Sequence, residues 1–189
     1  MTTSEFLKTK LLRTLKQLHN YCELGDYVSM WQICKTNSIN PTFVFDCIPD
    51  EQKYDVIVAV HTHEESPKKS LNKYLNAIKS LIPSDVAESV ADHVDSDGNV
   101  TVYRGGVLVK NPALCPSWTL DFDVAEWFAK RFLFMGDTVL YKGLIKANDI
   151  IAYVQDRGEE EIIQHRGVNG IEVIRNYNKG EYVPEDAES

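Results

Sequence analysis

Three adjacent carboxylates, Glu159-Glu160-Glu161, stand between Gly158 and an apolar pair, Ile162-Ile163, that reads as the start of a strand. Clustered carboxylates hinder one another's ionisation, which is how such a group becomes able to handle protons near neutrality. In extended backbone alternate side chains share a face, so Glu159 and Glu161 are expected to reach one cleft while Glu160 points elsewhere. Taken alone, the triplet also describes a solvated acidic loop. Two more stretches carry usable chemistry. Val100-Thr101-Val102-Tyr103 is β-branched and aromatic and runs into Arg104-Gly105-Gly106. An arginine ending a strand before two glycines suits a phosphate, because guanidinium is a planar fork and glycine lets another molecule approach the backbone. By itself the same arginine fits a surface salt bridge. Ser117-Trp118-Thr119, in extended form, puts the hydroxyls of Ser117 and Thr119 on one face.

Other polar clusters point to no site. His61-Thr62-His63-Glu64-Glu65 offers zinc-ligand types, but His-x-His on a helix turns its rings to different faces, and a solvated helix end is expected. Asp95-Ser96-Asp97-Gly98-Asn99 has the start of a calcium loop with its glycine too early, and Gly106 stands where the closing glutamate belongs, so it reads as a turn. Cys22, Cys34, Cys47 and Cys115 are scattered without metal or redox spacing and read as reduced, buried hydrophobes.

The elements that must position these residues divide the chain in two. Apolar residues recur at helical spacing over 5–22 and 27–35, and the valine- and isoleucine-rich segment 51–61 reads as helix. Helices are also expected over 70–81 and 84–93, with Ser84 as the N-cap of the second. From Asn99 the pattern becomes β: strands over 99–104, 138–146, 150–154, from Glu161, and over 171–177, with a turn at Gly167–Gly170. Asp121 or Asp123 caps a helix whose inner stripe is expected to be Val124, Trp127, Phe128 and Phe132. The expectation is α+β: a helical region over 1–94 and a mixed α/β core over 95–189.

The 189 residues are 43% hydrophobic and 25% charged, an ordinary globular composition with room for one core or two small ones. The start carries no basic-then-apolar leader and no segment is apolar for long enough to cross a bilayer, so a cytoplasmic protein without a membrane partner is expected. The net charge is -8, and it is uneven: residues 1–90 hold 10 basic and 11 acidic side chains, residues 91–189 hold 10 and 17. An acidic field repels phosphate backbones and favours a basic protein partner, which disfavours nucleic acid.

Taken in order, Tyr103-Arg104-Gly105, then Ser117-Trp118-Thr119 leading into an aromatic helix, then Glu159-Glu160-Glu161 before Ile-Ile, the blocks resemble the Arg-Ser-Glu class of mono-ADP-ribosyltransferases. In that class three such blocks come in this sequence and line one NAD cleft. The resemblance spans about residues 97–177, and Ser-Trp-Thr departs from the commoner Ser-Thr-Ser, leaving Ser117 as the matching serine. It implies a core of two small sheets around the cleft. It further implies that Arg104 binds an NAD phosphate, the Gly105 backbone holds the nicotinamide amide, Ser117 orients the cleft with Thr119 beside it, and Glu161 bonds the nicotinamide ribose. Phe132 and Phe134 are candidates to pack on the nicotinamide. Glu159 matches the residue that engages the acceptor, and glutamate there suits an arginine of a target protein, since a guanidinium needs an anion to become a nucleophile. NAD is the co-substrate and no metal is implied. Similar helical extensions precede this core in small phage transferases and in bacterial toxins. Two other outcomes fit the same residues: an NAD glycohydrolase, with water in place of arginine, and a non-catalytic interaction module with a degenerate cleft.

Overall fold

The computed structural model describes residues 3–63, 71–155 and 158–181. The chain separates into two compact units, Met1–Glu65 and Ser66–Ser189. The first is helical: α1 (Thr3–Glu23), α2 (Tyr27–Thr36), α3 (Thr42–Cys47) and α4 (Asp50–Thr62). Asp26 caps α2, its carboxylate accepting from the Ser29 amide at 3.0 Å, so the turn after Gly25 restarts the helix without leaving that donor bare. Met30, Trp31 and Cys34 of α2, Val44 of α3 and Ile57, Val60 and His61 of α4 are buried. His61 is buried, which corrects the expectation of a solvated helix end for that ring, while His63 is exposed, so the two rings lie apart as the helical spacing requires. Of the cysteines only Cys34 is buried, whereas Cys22 and Cys47 are exposed, which corrects the expectation of four buried thiols. Cys22 and Cys47 lie near helix C-termini, where less of the fold covers them.

The second unit holds α5 (Asn72–Ala77), α6 (Val86–Ser89) and six strands: β1 (Asn99–Val107), β2 (Ser117–Thr119), β3 (Thr138–Lys146), β4 (Ile150–Val154), β5 (Glu161–Gln164) and β6 (Val168–Tyr177). The helix α7 (Phe122–Arg131) lies between β2 and β3 in sequence and packs on β1 and β3. The strands form one antiparallel sheet in the order β4-β5-β2-β1-β3-β6. Two small sheets were the expectation, and the single sheet corrects it. The reason lies at the β1–β2 junction, where Tyr103 pairs with Thr119 and ties β4-β5-β2 to β1-β3-β6 through one register position. The core between sheet and helix contains Ala125, Ala129, Leu133, Leu140 and Tyr177, with Tyr103 and Phe122 packed against it.

Three local expectations also shift. The helix expected over 84–93 is broken into α6 and a 3₁₀ turn at Ala91–His93, and the residue ahead of α6 is Asp85, which makes no side-chain cap. The strand expected from Ile171 begins at Val168, because Gly170 adopts φ +57 inside β6 where the ladder to β3 slips between Lys142 and Leu144. A bulge of this kind absorbs a left-handed glycine without ending the strand. On α7 the buried residues are Ala125 and Ala129, while Trp127 is 46% exposed, so the aromatic stripe is not the core face. An ideal Cβ on Gly105 would stand 1.7 Å from the Ala125 carbonyl oxygen and 2.6 Å from the Ala129 nitrogen. Strand and helix approach too closely for large side chains, and the alanine face alone fits.

Candidate functional site

Each of the three blocks ends on or beside β2. The row Tyr103–Thr119–Glu161–Val154 runs across β1, β2, β5 and β4, placing Glu161, the first residue of β5, directly opposite Thr119. Ser117 lies two residues earlier on β2, opposite Ile163, and so shares the face of Thr119. If the β1–β2 ladder continued, Gly105 would pair with Ser117. It does not, and the gap is bridged by Arg104, whose Nη1 donates to the Ser117 carbonyl oxygen at 2.5 Å. Arg104 is half-buried and makes no ion pair among the described residues. The surface salt bridge that would account for it structurally is therefore not formed within them. A guanidinium has five donors, and one carbonyl leaves most of them available to an anion.

The segment leading into β2 is fixed from the adjacent β5 and from β2 itself. The fully buried Gln164 side chain donates to the carbonyls of Cys115 at 2.5 Å and Ala113 at 3.1 Å and accepts from the Gly167 amide at 2.7 Å. The Trp118 indole donates to the Cys115 carbonyl at 3.0 Å. These bonds hold the chain entering Ser117 from both sides, so the position of its hydroxyl is set by backbone and core rather than by a mobile loop.

The acidic triplet is not extended. Glu160 has φ +43, outside the strand region, and β5 starts only at Glu161. Alternation therefore does not relate Glu159 to Glu161, which corrects that expectation. The cause is a pair of bonds from the β2–α7 corner: the Thr119 hydroxyl donates to the Glu159 carbonyl at 2.6 Å and the Leu120 amide to the Glu160 carbonyl at 3.1 Å. Successive carbonyls aimed at one corner require a twist that extended backbone does not supply. Thr119 Oγ1 also accepts from the Asp121 amide at 3.0 Å, so this buried hydroxyl joins the acidic loop to the start of α7. Asp121 is the cap of α7, accepting from the Asp123 and Val124 amides at 2.7 and 3.2 Å. Asp156 and Arg157, on the far side of Gly158, lie outside the described residues.

Glu159 instead lines a cleft of about 320 Å³ with Gly158 and with Asp123, Val124, Trp127 and Phe128 of α7. Nothing in the helical pattern singled this out, although Asp123 and Trp127 stand one turn apart on the helix that follows Ser-Trp-Thr. Phe132, in the 3₁₀ turn after α7, stacks on Phe128 at 6.1 Å, and Phe134 is 54% exposed. The two phenylalanines therefore differ, one packed on the helix and one open.

Helix α7 is pinned to β6 by Glu126. Its carboxylate accepts from Lys130 Nζ at 2.7 Å, from the Tyr177 hydroxyl at 2.8 Å and from Arg175 Nη1. The Lys130 bond, then the Tyr177 bond, hold this carboxyl below its usual range, while burial, then the bond to Glu126, pushes the Tyr177 phenol up. Asp95 accepts from the Asp97 and Asn99 amides at 2.9 and 2.8 Å and closes the expected turn into β1. No protein-family model matches this chain, and neither a curated protein nor a solved structure matches it.

Proposed function

We propose that the protein is an NAD-dependent mono-ADP-ribosyltransferase that releases nicotinamide and passes ADP-ribose to an arginine of a target protein. The observation that carries this reading is Arg104: half-buried, without an ion-pair partner among the described residues, and tied to Ser117 across the opening between β1 and β2. Keeping a cation partly out of water costs free energy unless an anion meets it, and a diphosphate is such an anion. Beyond Tyr103 the ladder from β1 to β2 stops, so the β2-facing edge of β1 at Gly105 has no strand partner among the described residues, and backbone groups along such an edge suit a flat amide.

The chemistry needs few groups. Breaking the bond between nicotinamide and ribose builds positive charge on the sugar, and a fixed carboxylate stabilises that charge more in the transition state than in the ground state. Glu161 takes this role, held against Thr119 at the head of β5. Nicotinamide leaves as a neutral ring, so no acid has to protonate it. A guanidinium acceptor then loses a proton as its nitrogen bonds the sugar carbon, and Glu159 is the carboxylate assigned to receive it.

The test is incubation of the protein with labelled NAD and a cell lysate. Label is expected on protein through an arginine linkage. Nicotinamide release with no labelled macromolecule would instead establish the glycohydrolase, and no release in any lysate would remove the enzyme reading.

A further inference from the structure

Helix α1 runs past the fold that holds it. Its second half is anchored, with Thr14 and Leu18 buried and Tyr21 half-buried, whereas residues 4–13 are exposed without exception. The overhang is nonetheless apolar: Phe6, Leu7, Leu11, Leu12 and Leu15 are each between 52% and 58% exposed. A single exposed leucine is ordinary on a protein surface, but five large apolar side chains within about three turns are not. Leu7, Leu11 and Leu15 follow one another at four-residue spacing and line up with buried Leu18, so the stripe that packs on the helical unit continues beyond it. Charge is as uneven. In a chain of net charge -8, α1 carries Lys8, Lys10, Arg13 and Lys16 against Glu5 and Glu23. None of the four cations forms an ion pair among the described residues. Lys8 and Lys10 border the leucine stripe on its two sides, where a long stem can lie along apolar surface and hold its charge beyond it. A second copy of the helix does not complement this face, because over residues 8–16 its borders hold cations and no carboxylate. A groove on a protein takes a narrow seam, and Phe6 and Leu12 lie off the line of Leu7, Leu11 and Leu15. An anionic lipid surface fits both features: its acyl boundary accepts apolar side chains without shape complementarity, and its headgroups meet the cations.

We propose that α1 is a docking helix for an anionic lipid surface, with Leu7, Leu11 and Leu15 entering the acyl boundary and Lys8 and Lys10 reaching headgroups on either side. Such a helix lies in the surface rather than across it. The lack of a spanning segment, on which the expectation of no membrane partner rests, therefore does not bear on it. The proposal does not depend on the transferase reading, since vesicle binding and nicotinamide release are separate measurements.

The experiment is cosedimentation of the full chain with phosphatidylcholine vesicles, alone and with equimolar phosphatidylserine, at low and at physiological salt. Binding to the mixed vesicles is expected to exceed binding to the neutral ones by about tenfold or more at low salt, and to weaken as salt screens the headgroups. Lys8→Gln and Lys10→Gln should each weaken it about fivefold. Leu11→Gln together with Leu15→Gln should weaken it by about tenfold or more. Circular dichroism should be unchanged in all of them, because these positions are exposed. No binding to the mixed vesicles, equal binding to the two compositions, or wild-type binding by the leucine double variant would each overturn the proposal. Self-association without lipid, seen by analytical ultracentrifugation and abolished in the same double variant, would overturn it in favour of a second copy.

Discussion

Arg104 is the residue on which the proposed chemistry turns, since it alone among the matched positions is a cation, and its bond to the Ser117 carbonyl holds it beside β2. Its single resolved bond goes to a backbone carbonyl, which fixes the guanidinium without neutralising it. Arg104→Ala is expected to weaken NAD by about ten- to a hundredfold, the worth of one or two charge-assisted bonds, with little loss of thermal stability. Calorimetric titration of NAD into the two proteins checks this; equal affinity would return Arg104 to a structural role. Ser117 and Glu161 begin β2 and β5, as their patterns suggested in the sequence, whereas Arg104, expected to end its strand, lies inside β1, whose pairing with β3 runs on through Gly105, Gly106 and Val107. The conformation of Glu160 was not legible in the sequence. A left-handed non-glycine residue is dictated there by bonds from Thr119 and Leu120, each spanning 40 residues, and no local pattern encodes a partner so distant.

Among the elements, α7 decides the geometry because it closes on β1 at Gly105. Gly105→Ala would drive a methyl into the Ala125 carbonyl, backbone that cannot swing aside, and is expected to cost about 3 kcal/mol, or roughly 10 °C in Tm. A wild-type melting curve would show that the contact is looser than described. The same contact explains why helical periodicity misassigned the buried face: both Ala125/Ala129 and Val124/Trp127/Phe128/Phe132 lie at helical spacing, and hydrophobicity alone favours the larger set. What was missing from the pattern was the small residue on the partner strand. Glu126 supplies a pH signature for this element. Its folded-state pKa is depressed, so its contribution is present above the unfolded value and disappears as pH falls through the folded one. As pH falls below the ordinary carboxylate range the wild type should therefore lose more stability than Glu126→Gln, a difference read from urea midpoints. Parallel losses would mean that the Lys130, Tyr177 and Arg175 bonds add nothing net.

At the scale of the whole molecule the chain is a helical unit and a sheet unit, with the acidic excess in residues 91–189 that form most of the second. The change from helical to β periodicity near Asn99 was visible in sequence. The pairing of β1 with β2 at one position was not, because sequence separation says nothing of where an antiparallel ladder stops. No helix among the described residues is long and apolar enough to cross a membrane. A net charge of -8 should draw basic acceptor proteins, so labelling of a lysine- and arginine-rich acceptor is expected to fall several-fold between low and physiological salt while nicotinamide release into water changes little. Equal salt dependence of the two rates would place the effect in NAD binding instead. The most direct test of the proposed chemistry is nicotinamide release from NAD at saturation by wild type and Glu161→Gln, with NAD affinity measured in parallel. The expected result is near-equal affinity and a rate lower by about a hundred- to a thousandfold in the variant, as for loss of a charge that acts in the transition state. Equal rates in the two proteins would contradict the assignment of Glu161 and, with it, the proposed NAD cleft.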